Sequence, residues 1–372
     1  MQQPIRIAHI IGKWLGGGVE SVVMNYYRHI DREKVQFDFI CDSDSTNIPY
    51  DEIEKLGGKV ILIPPYQKVF KYHRELKKIL KQEGYKIVHS HINVLSVFSL
   101  FAAKKAGVPI RIAHSHSTTN RKEWKKNIVK IILRPFSTIY ATEYFACTEH
   151  AGKWMFGKKN LERQKIHILN NAIDLDKFKR NEKNRKLKRK ELGVYDDEFI
   201  IGHVGRFVSQ KNHEFLIDVF KKIHDKNSNA RLMLIGQGPL MERVKNKIEN
   251  LELTEFVTFL GQRLDVCELY QTFDMFVLPS IYEGLGMVLV EAQAAGVPCI
   301  ASTEVPDVAK VAENFLFLSL SAGAEYWAEQ IINKPESREE KEKIYDKLSR
   351  CGFNIKLEAK KLLDYYLAKS NI

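Results

Sequence analysis

This sequence is poor in cysteine and has no long hydrophobic run. The five cysteines lie far apart and form no C-x-x-C pair: Cys41, Cys147, Cys267, Cys299 and Cys351. That pattern favours reduced thiols in a cytosolic compartment over a disulfide framework or a zinc site. The apolar run "VLSVFSLFAA" at 94–103 is far short of a transmembrane helix. The N-terminal "IRIAHII" resembles a strand and not a signal peptide, so a soluble, cytoplasmic protein is expected.

Length and charge narrow the possibilities further. A chain of 372 residues is too long for one ordinary domain, and 44% hydrophobic residues are enough to fill two cores. The formal net charge of +12 implies an anionic partner, which is a nucleotide, a nucleic acid or a membrane surface.

Short β-branched runs alternate with helical patterns along the chain. The predicted strands are 5–11, 35–40, 87–91, 110–115 and 144–147, then 199–204, 231–235, 256–260, 275–278 and 298–301. Helices are predicted over 71–82, 212–225 and 240–249. This alternation predicts an α/β protein with two doubly wound parallel sheets. The basic "KFKRNEKNRKLKRK" at 177–190 is interpreted as a solvated linker that runs into a short helix.

A glycine loop follows the first predicted strand. In "GKWLGGGVES", Gly16, Gly17 and Gly18 let backbone amides approach a ligand, and the next helix offers its positive N-terminus to an anion. The loop is close to a dinucleotide fingerprint, but Ser21 occupies the last glycine position. A nicotinamide dinucleotide site, with Asp42 on the ribose, and a merely tight turn are the alternatives.

Cations and glycines also follow strands of the second series. The segment "GHVGRFVSQKN" places Arg206 and Lys211 past a strand end, where two cations can clamp a diphosphate. A solvated loop is the alternative. The segment "LIGQGPL" repeats the strand, glycine turn and helix arrangement with Gly236 and Gly238.

Two acids lie eight positions apart in the apolar stretch "YEGLGMVLVEAQAAG", at Glu283 and Glu291. A helix that begins near Leu285 puts Glu291 about 9 Å along its axis, at ~1.5 Å per residue. This matches a diphosphate in length, so Glu283 is predicted to reach a hexose hydroxyl and Glu291 the ribose hydroxyls. A structural salt bridge is the alternative, because a buried carboxylate is unfavourable without partners.

These segments, with "FLGQRLDV" and the E-x7-E block in "PSIYEGLGMVLVEAQAAGVPCIAS", resemble the family-4 retaining glycosyltransferases of GT-B fold. The segment "EAQAAGVPCI" is especially similar to the corresponding sequence of bacterial capsule and exopolysaccharide enzymes of that family. The resemblance covers nearly the whole chain and implies two Rossmann-like domains, 1–176 and 177–354, that face a cleft. The segment "NIKLEAKKLLDYYL" resembles the C-terminal helix, here 355–372, that crosses back to the first domain. The chain departs from the family at Ala172, where an Asn-Gly turn is usual.

The resemblance implies that the C-terminal domain binds a nucleoside-diphosphate sugar, such as a UDP-hexose or UDP-N-acetylhexosamine. The N-terminal domain would bind a glycan or polyprenyl-linked acceptor in bacterial cell-surface polysaccharide synthesis. The implied reaction is front-face transfer with retention, assisted by the departing phosphate, and neither a metal nor a cofactor is expected. The expected donor-binding residues are Gly17, Gly18, Arg206, Lys211, Gly236, Gly238, Arg263, Glu283, Gly284, Leu285, Gly286 and Glu291. The expected catalytic residues are His116, Glu283, Arg206 and Lys211.

Histidines occur as "HSH" at 89–91 and again at 114–116, and strand alternation puts each pair on one face. Four histidines can bind a metal ion, but no flanking acid completes a site, so a place in the cleft wall is favoured. His116 matches the position of an active-site histidine in the resembling family, and a packing role is the alternative. The "DSD" at 42–44 matches the metal motif of the other glycosyltransferase fold but lies in the wrong context.

Two rival functions remain open. A UDP-sugar 2-epimerase shares this architecture and donor site but has no acceptor. A basic nucleic-acid-binding protein would explain the net charge. However, the basic residues lack interleaved aromatic platforms, so no nucleic acid is expected as a partner.

One segment predicts a membrane surface as a further partner. In "NRKEWKKNIVKIILRPF", Trp124, Ile128, Ile131 and Ile132 recur at the spacing of one helical face. The basic residues of this segment are Arg121, Lys122, Lys125, Lys126 and Lys130. Such a helix can lie among the headgroups of an anionic membrane, which predicts a peripheral protein at the inner face. A surface helix packed on the core is the alternative.

Overall fold

The computed structural model describes residues 3–116, 124–333 and 341–370. Its strands are β1 (Ile5–Gly12), β2 (Val35–Asp42), β3 (Lys59–Ile63), β4 (Ile87–Ser90), β5 (Ile110–Ser115), β6 (Glu143–Ala146), β7 (Ile166–Ile168), β8 (Phe199–Val204), β9 (Ala230–Ile235), β10 (Val257–Gly261), β11 (Met275–Leu278), β12 (Cys299–Ser302) and β13 (Phe315–Leu318). Its helices are α1 (Gly18–His29), α2 (Tyr50–Lys55), α3 (Val69–Gln82), α4 (Ser96–Ala106), α5 (Trp124–Leu133), α6 (Glu149–Phe156), α7 (Lys158–Glu162), α8 (Leu175–Phe178), α9 (Glu182–Glu191), α10 (His213–Lys226), α11 (Met241–Asn250), α12 (Val266–Tyr270), α13 (Met287–Ala294), α14 (Gly323–Ile332), α15 (Lys341–Arg350) and α16 (Ile355–Ser370). None of the helices in these ranges is both long and apolar enough to cross a bilayer.

The chain divides into two compact units. The first comprises Met1–Ala172 with Asn354–Ile372, and the second comprises Ile173–Phe353. Within the described residues, the first unit has a seven-stranded sheet of order β3-β2-β1-β4-β5-β6-β7, and the second has a six-stranded sheet of order β10-β9-β8-β11-β12-β13. All the described pairings are parallel. The prediction of two doubly wound sheets is therefore confirmed.

Both faces of the first sheet are covered, as parallel sheets require. All eight residues of β2 are buried. Successive side chains of β1 alternate between two cores, with Ile7 and Ile11 on one face and Ala8 and Ile10 on the other. The first of these cores also contains side chains of α1 and α16.

The C-terminal helix α16 belongs to the first unit, as its resemblance to a back-crossing helix predicts. It contributes Ala359, Leu362 and Tyr366 to the core under the sheet. Tyr366 is fully buried, and its hydroxyl lies 2.6 Å from Nδ1 of His89 on β4.

The segment 177–190 runs into a helix, as predicted, but its interpretation as solvated is wrong for two of its bases. Helix α9 occupies most of the segment, and Asn181 caps it by accepting hydrogen bonds from two backbone amides. Two of its bases are buried, where Lys188 pairs with Asp265 at 2.9 Å and Arg189 pairs with Asp274 at 3.2 Å. Those acids lie far along the sequence, so the segment taken alone contains many bases and few acids. Such a local pattern is typical of a solvated segment.

Candidate functional site

In the second unit, Lys211 and Glu283 form a buried ion pair. Lys211 follows β8 and Glu283 follows β11, which are the adjacent strands where the strand order of this sheet reverses. The Lys211 Nζ donates to Oε1 of Glu283 at 2.7 Å, and the two side chains are only 15% and 8% exposed. Doubly wound sheets bind ligands at the carboxyl ends of their strands at such a switch point.

Two further donors fix the Glu283 carboxylate. The Ser280 hydroxyl donates to Oε1 at 2.6 Å, and the Gln210 side-chain amide donates to Oε2 at 3.3 Å. The sequence assigns Glu283 to a sugar hydroxyl and Lys211 to a diphosphate as independent groups. The structure instead pairs them, so a change to either side chain alters the other.

Arg206 lies in the loop after β8, and its side chain is exposed. In the described part of the chain it has no ion-pair partner. A Cβ built on the neighbouring Gly205 would lie 3.1 Å from Cγ of Lys211, so the stem of Lys211 packs against this loop. The unpaired guanidinium is thus available to an anionic ligand near the ion pair.

Gly236 and Gly238 allow the loops after β8 and β9 to pack closely. Gly236 has φ +133°, and a Cβ there would lie 2.2 Å from the carbonyl oxygen of Gly205. A Cβ on Gly238 would lie 2.5 Å from the carbonyl oxygen of Phe207. The two glycines therefore hold the loop that carries Arg206, whereas their direct contact with a donor stays a prediction.

Helix α13 begins at Met287, two residues later than the start assumed from the sequence, and Gly286 precedes it with φ +80°. Glu291 therefore lies ~6 Å along the axis at ~1.5 Å per residue, and the predicted 9 Å is too long. The Tyr270 hydroxyl donates to Oε2 of Glu291 at 2.9 Å. Burial raises the pKa of Glu291 to about 7, although the Tyr270 hydrogen bond and the positive charge of Lys211 lower it.

Three other predicted donor residues have contrasting surroundings. Leu285 is buried in the second unit's core, while a Cβ on Gly284 would meet no atom within 4 Å. Arg263 makes two hydrogen bonds to Asp265, at 2.7 and 2.6 Å. Since Asp265 also accepts from Lys188, the Arg263 guanidinium is part of the network that anchors α9.

The glycine loop of the first unit contains a carboxylate. Glu20 Oε1 accepts a hydrogen bond from the Leu15 amide at 2.9 Å, and its Oε2 lies 3.1 Å from where a Cβ on Gly17 would be. An acid at this position already stabilises the N-terminus of α1, where the sequence predicts an anionic ligand. Gly17 and Gly18 as donor ligands stay a prediction. The sequence could have indicated this role of Glu20, because Glu20 lies three residues after the helix cap Gly17, where capping acids occur.

His116 belongs to a group of stacked imidazoles in the first unit. Its Nε2 lies 2.9 Å from Nδ1 of His91, and its backbone amide donates to Oδ1 of Asn93 at 2.7 Å. Burial lowers the pKa of His116 to about 3, so the ring is neutral at physiological pH. The two "HSH" pairs do meet, and they are joined by His9, which no sequence motif marked.

Known proteins resemble both units. The family model "Glycosyltransferase Family 4" matches residues 16–177, and "Glycosyl transferases group 1" matches residues 184–348. The protein named as glycosyltransferase EpsF of Bacillus subtilis (strain 168) is 35% identical over 97% of this chain and 96% of its own. The chain belongs to glycosyltransferase family 4.

Two other comparisons add a relative in sequence and a neighbour in structure. The UDP-Gal:alpha-D-GlcNAc-diphosphoundecaprenol alpha-1,3-galactosyltransferase of Escherichia coli is 28% identical to this glycosyltransferase, over 80% of this chain and 79% of that protein. The crystal structure of Anabaena HepE in complex with UDP has a TM-score of 0.74 at 18% identity, covering 98% of this chain and 99% of that chain. The structural likeness confirms the GT-B fold.

The amphipathic segment of this glycosyltransferase forms α5, as predicted. Ile128, Ile131 and Ile132 are 48%, 59% and 60% exposed, so the alternative of a stripe packed on the core is wrong for these three residues. Arg121 and Lys122 lie outside the described residues. Trp124, Lys125 and Lys126 of the predicted segment lie in α5, but their side chains are not among the described ones.

Proposed function

We propose that this glycosyltransferase transfers a hexose or N-acetylhexosamine from its UDP-sugar, with retention and without a metal ion. The proposed acceptor is a glycan or a polyprenyl-linked sugar in bacterial cell-surface polysaccharide synthesis. The observation that carries the proposal is the Lys211–Glu283 pair at the switch point of the second sheet, with the unpaired Arg206 on the neighbouring loop. Two cations beside a fixed carboxylate suit a ligand that joins a diphosphate to a sugar.

Negative charge develops on the departing diphosphate as the sugar is transferred. Arg206 and Lys211 would stabilise this charge in place of a metal ion, because preorganised cations act most strongly where charge develops. Glu283, held by Ser280 and Gln210, would accept a hydrogen bond from a sugar hydroxyl. Glu291 would accept from the ribose hydroxyls at the N-terminal half of α13. His116 in the first unit would act on the reacting sugar, as the family resemblance implies.

Two relatives support the substrates proposed here. The HepE structure contains UDP, and the name of the Escherichia coli relative specifies a UDP-sugar donor and a diphosphoundecaprenol acceptor. The resemblance of "EAQAAGVPCI" to capsule and exopolysaccharide enzymes supports a surface polysaccharide as the product. The exposed isoleucines of α5 support a site of action at the inner face of an anionic membrane.

The decisive experiment supplies a panel of UDP-sugars with and without a polyprenyl-diphosphate-linked sugar, in the presence of a chelator. We expect glycosidic product only when the acceptor is present, with the anomeric configuration of the donor retained by NMR. A changed sugar nucleotide without acceptor would indicate an epimerase. Inversion, or activity lost to the chelator, would contradict the proposed mechanism.

A further inference from the structure

Five histidines meet on one face of the first unit's sheet, beneath α1 and α16. This histidine cluster consists of His9, His89, His91, His114 and His116. The residues come from the adjacent strands β1, β4 and β5 or directly follow them. They line a cavity of about 10 Å³, which is room for about one water-sized particle. In the described part of the chain, no acid, lysine or arginine lines this cavity.

One chain of hydrogen bonds begins at Tyr366. Its hydroxyl lies 2.6 Å from Nδ1 of His89, and Nε2 of His89 lies 3.0 Å from Nδ1 of His114. The Nε2 of His114 is buried and has no partner. When His89 donates to Tyr366, it accepts from His114, and Nε2 of His114 then carries a free lone pair inside the cluster.

A second chain runs through His91. Its Nε2 lies 2.9 Å from Nδ1 of His9, and its Nδ1 lies 2.9 Å from Nε2 of His116. When His91 donates to His9, its Nδ1 faces Nε2 of His116 with one proton between them. Movement of that proton to Nδ1 of His116 leaves two facing lone pairs, and both rings remain neutral.

We propose that His91, His114 and His116 bind one divalent transition-metal ion of the zinc type. One ring nitrogen of each lies within 4.8 Å of those of the other two. Three nitrogens bound to zinc at ~2.0–2.1 Å lie roughly 3.3 Å apart, so small side-chain rotations complete the site. The two hydrogen-bond chains would then become the outer hydrogen bonds that orient metal-bound imidazoles, through His9 and His89.

The chemistry of the cluster suits this ion. Zinc accepts neutral imidazoles in a tetrahedral arrangement, and three histidines leave a fourth position for water. Because no acid lines the cavity, hydroxide at that position would offset part of the ion's charge. His116 is the least buried of the three, which gives the ion a solvent-facing side.

This ion would not assist transfer. It would occupy Nε2 of His116, the residue that the proposed function places at the reacting sugar, and would therefore inhibit the enzyme. Only this consequence depends on the proposed function, because binding itself is measured without substrate.

The test titrates the full-length, chelator-treated protein with Co²⁺ and then with Zn²⁺. We expect one equivalent of Co²⁺ to produce the visible absorption of a tetrahedral site, and Zn²⁺ to abolish it. His114→Gln and His116→Gln should each weaken metal binding by more than about 100-fold, because each removes a ligand. His89→Gln removes only a hydrogen-bond partner of a ligand and should weaken binding by roughly 10–100-fold. Zn²⁺ should inhibit the transferase, and a chelator should restore it.

His150 on the exposed surface provides the control, and His150→Gln should bind as the wild type does. Thermal unfolding of each apo variant checks that it is folded, and the half-buried His116→Gln remains informative if the buried variants are not. Failure of the wild type to bind one equivalent overturns the proposal. Binding lost in His9→Gln but retained in His114→Gln also overturns it, because the ion would then use the other triad, His9, His89 and His91. If the protein binds the metal ion but has no transferase activity, only the proposed function is contradicted.

Discussion

At the scale of single residues, Lys211 is central because both acids of the E-x7-E block depend on it. It pairs with Glu283, and its charge opposes the rise in the pKa of Glu291. We expect Lys211→Met to lower kcat/KM by at least about 100-fold, the effect of removing one preorganised charge-stabilising donor. The variant should also unfold at a lower temperature, because Glu283 is left buried without its cation.

Arg206→Ala is the matched variant. It should lower kcat/KM by a similar factor without a change in melting temperature, since the exposed guanidinium makes no ion pair in the described part of the chain. Steady-state kinetics and thermal unfolding of both variants check this contrast. Near-normal turnover in the two variants would rule out the diphosphate clamp.

Glu291 makes the stability of the protein depend on pH. Burial raises its pKa from 4.5 to about 7, so the folded protein holds a proton that the unfolded chain releases between these values. The contribution of Glu291 to the free energy of unfolding therefore falls as pH rises from 4.5 to 7. Glu291→Gln should remove this decrease, which is at most about 3 kcal/mol at pH 8. Urea unfolding of both proteins at pH 5 and pH 8 measures it, and an unchanged difference in the variant would show that Glu291 is not the cause.

The position of a site residue in the fold was predictable from the sequence where the residues next to it define a strand end. Arg206, Lys211 and Glu283 each follow a strand by a few positions, so their place at a strand end follows from the local pattern. Their partners did not follow from it. The Lys211–Glu283 pair spans 72 positions and the contact of His9 with His91 spans 82, and no local spacing encodes such contacts.

At the scale of elements, the central strands were predicted to within one or two residues because they are apolar on both faces. The strands that the sequence did not indicate are β3, β7 and β13, and each lies at an edge of its sheet. An edge strand is short or half-exposed, so its apolar signal is weak. The helix at the end of the basic segment was predicted, but the burial of Lys188 and Arg189 was not, because their acidic partners lie far along the sequence.

The packing of the loops after β8 and β9 makes a prediction at the same scale. Gly238→Ala places a methyl group 2.5 Å from the carbonyl oxygen of Phe207, which displaces the loop that carries Arg206. We expect UDP affinity to fall by about tenfold or more, because misplacing a positioned group weakens its interaction even when the group is intact. Isothermal titration with UDP measures this, and circular dichroism controls for folding. Unaltered affinity would show that the loop adapts without moving Arg206.

At the scale of the whole molecule, the net charge of +12 has two possible consequences at a membrane. A diffuse charge would attract the protein to any anionic surface, and every lysine would contribute about equally. A local site would instead depend on α5, whose exposed isoleucines can enter the headgroup region and whose sequence is rich in lysine. The two cases respond differently to the same change in net charge.

We therefore compare two triple variants, each of which replaces three lysines by glutamate. One changes Lys122, Lys125 and Lys126 of the basic sequence at 121–130, and the other changes the exposed Lys183, Lys186 and Lys190 of α9 in the second unit. Co-sedimentation with anionic vesicles should show salt-sensitive binding of the wild type and of the α9 variant, and its loss in the α5 variant. Neutral vesicles should bind none of them. Equal losses in the two variants would assign binding to net charge alone, and no binding of the wild type at low salt would leave α5 without a role at the membrane.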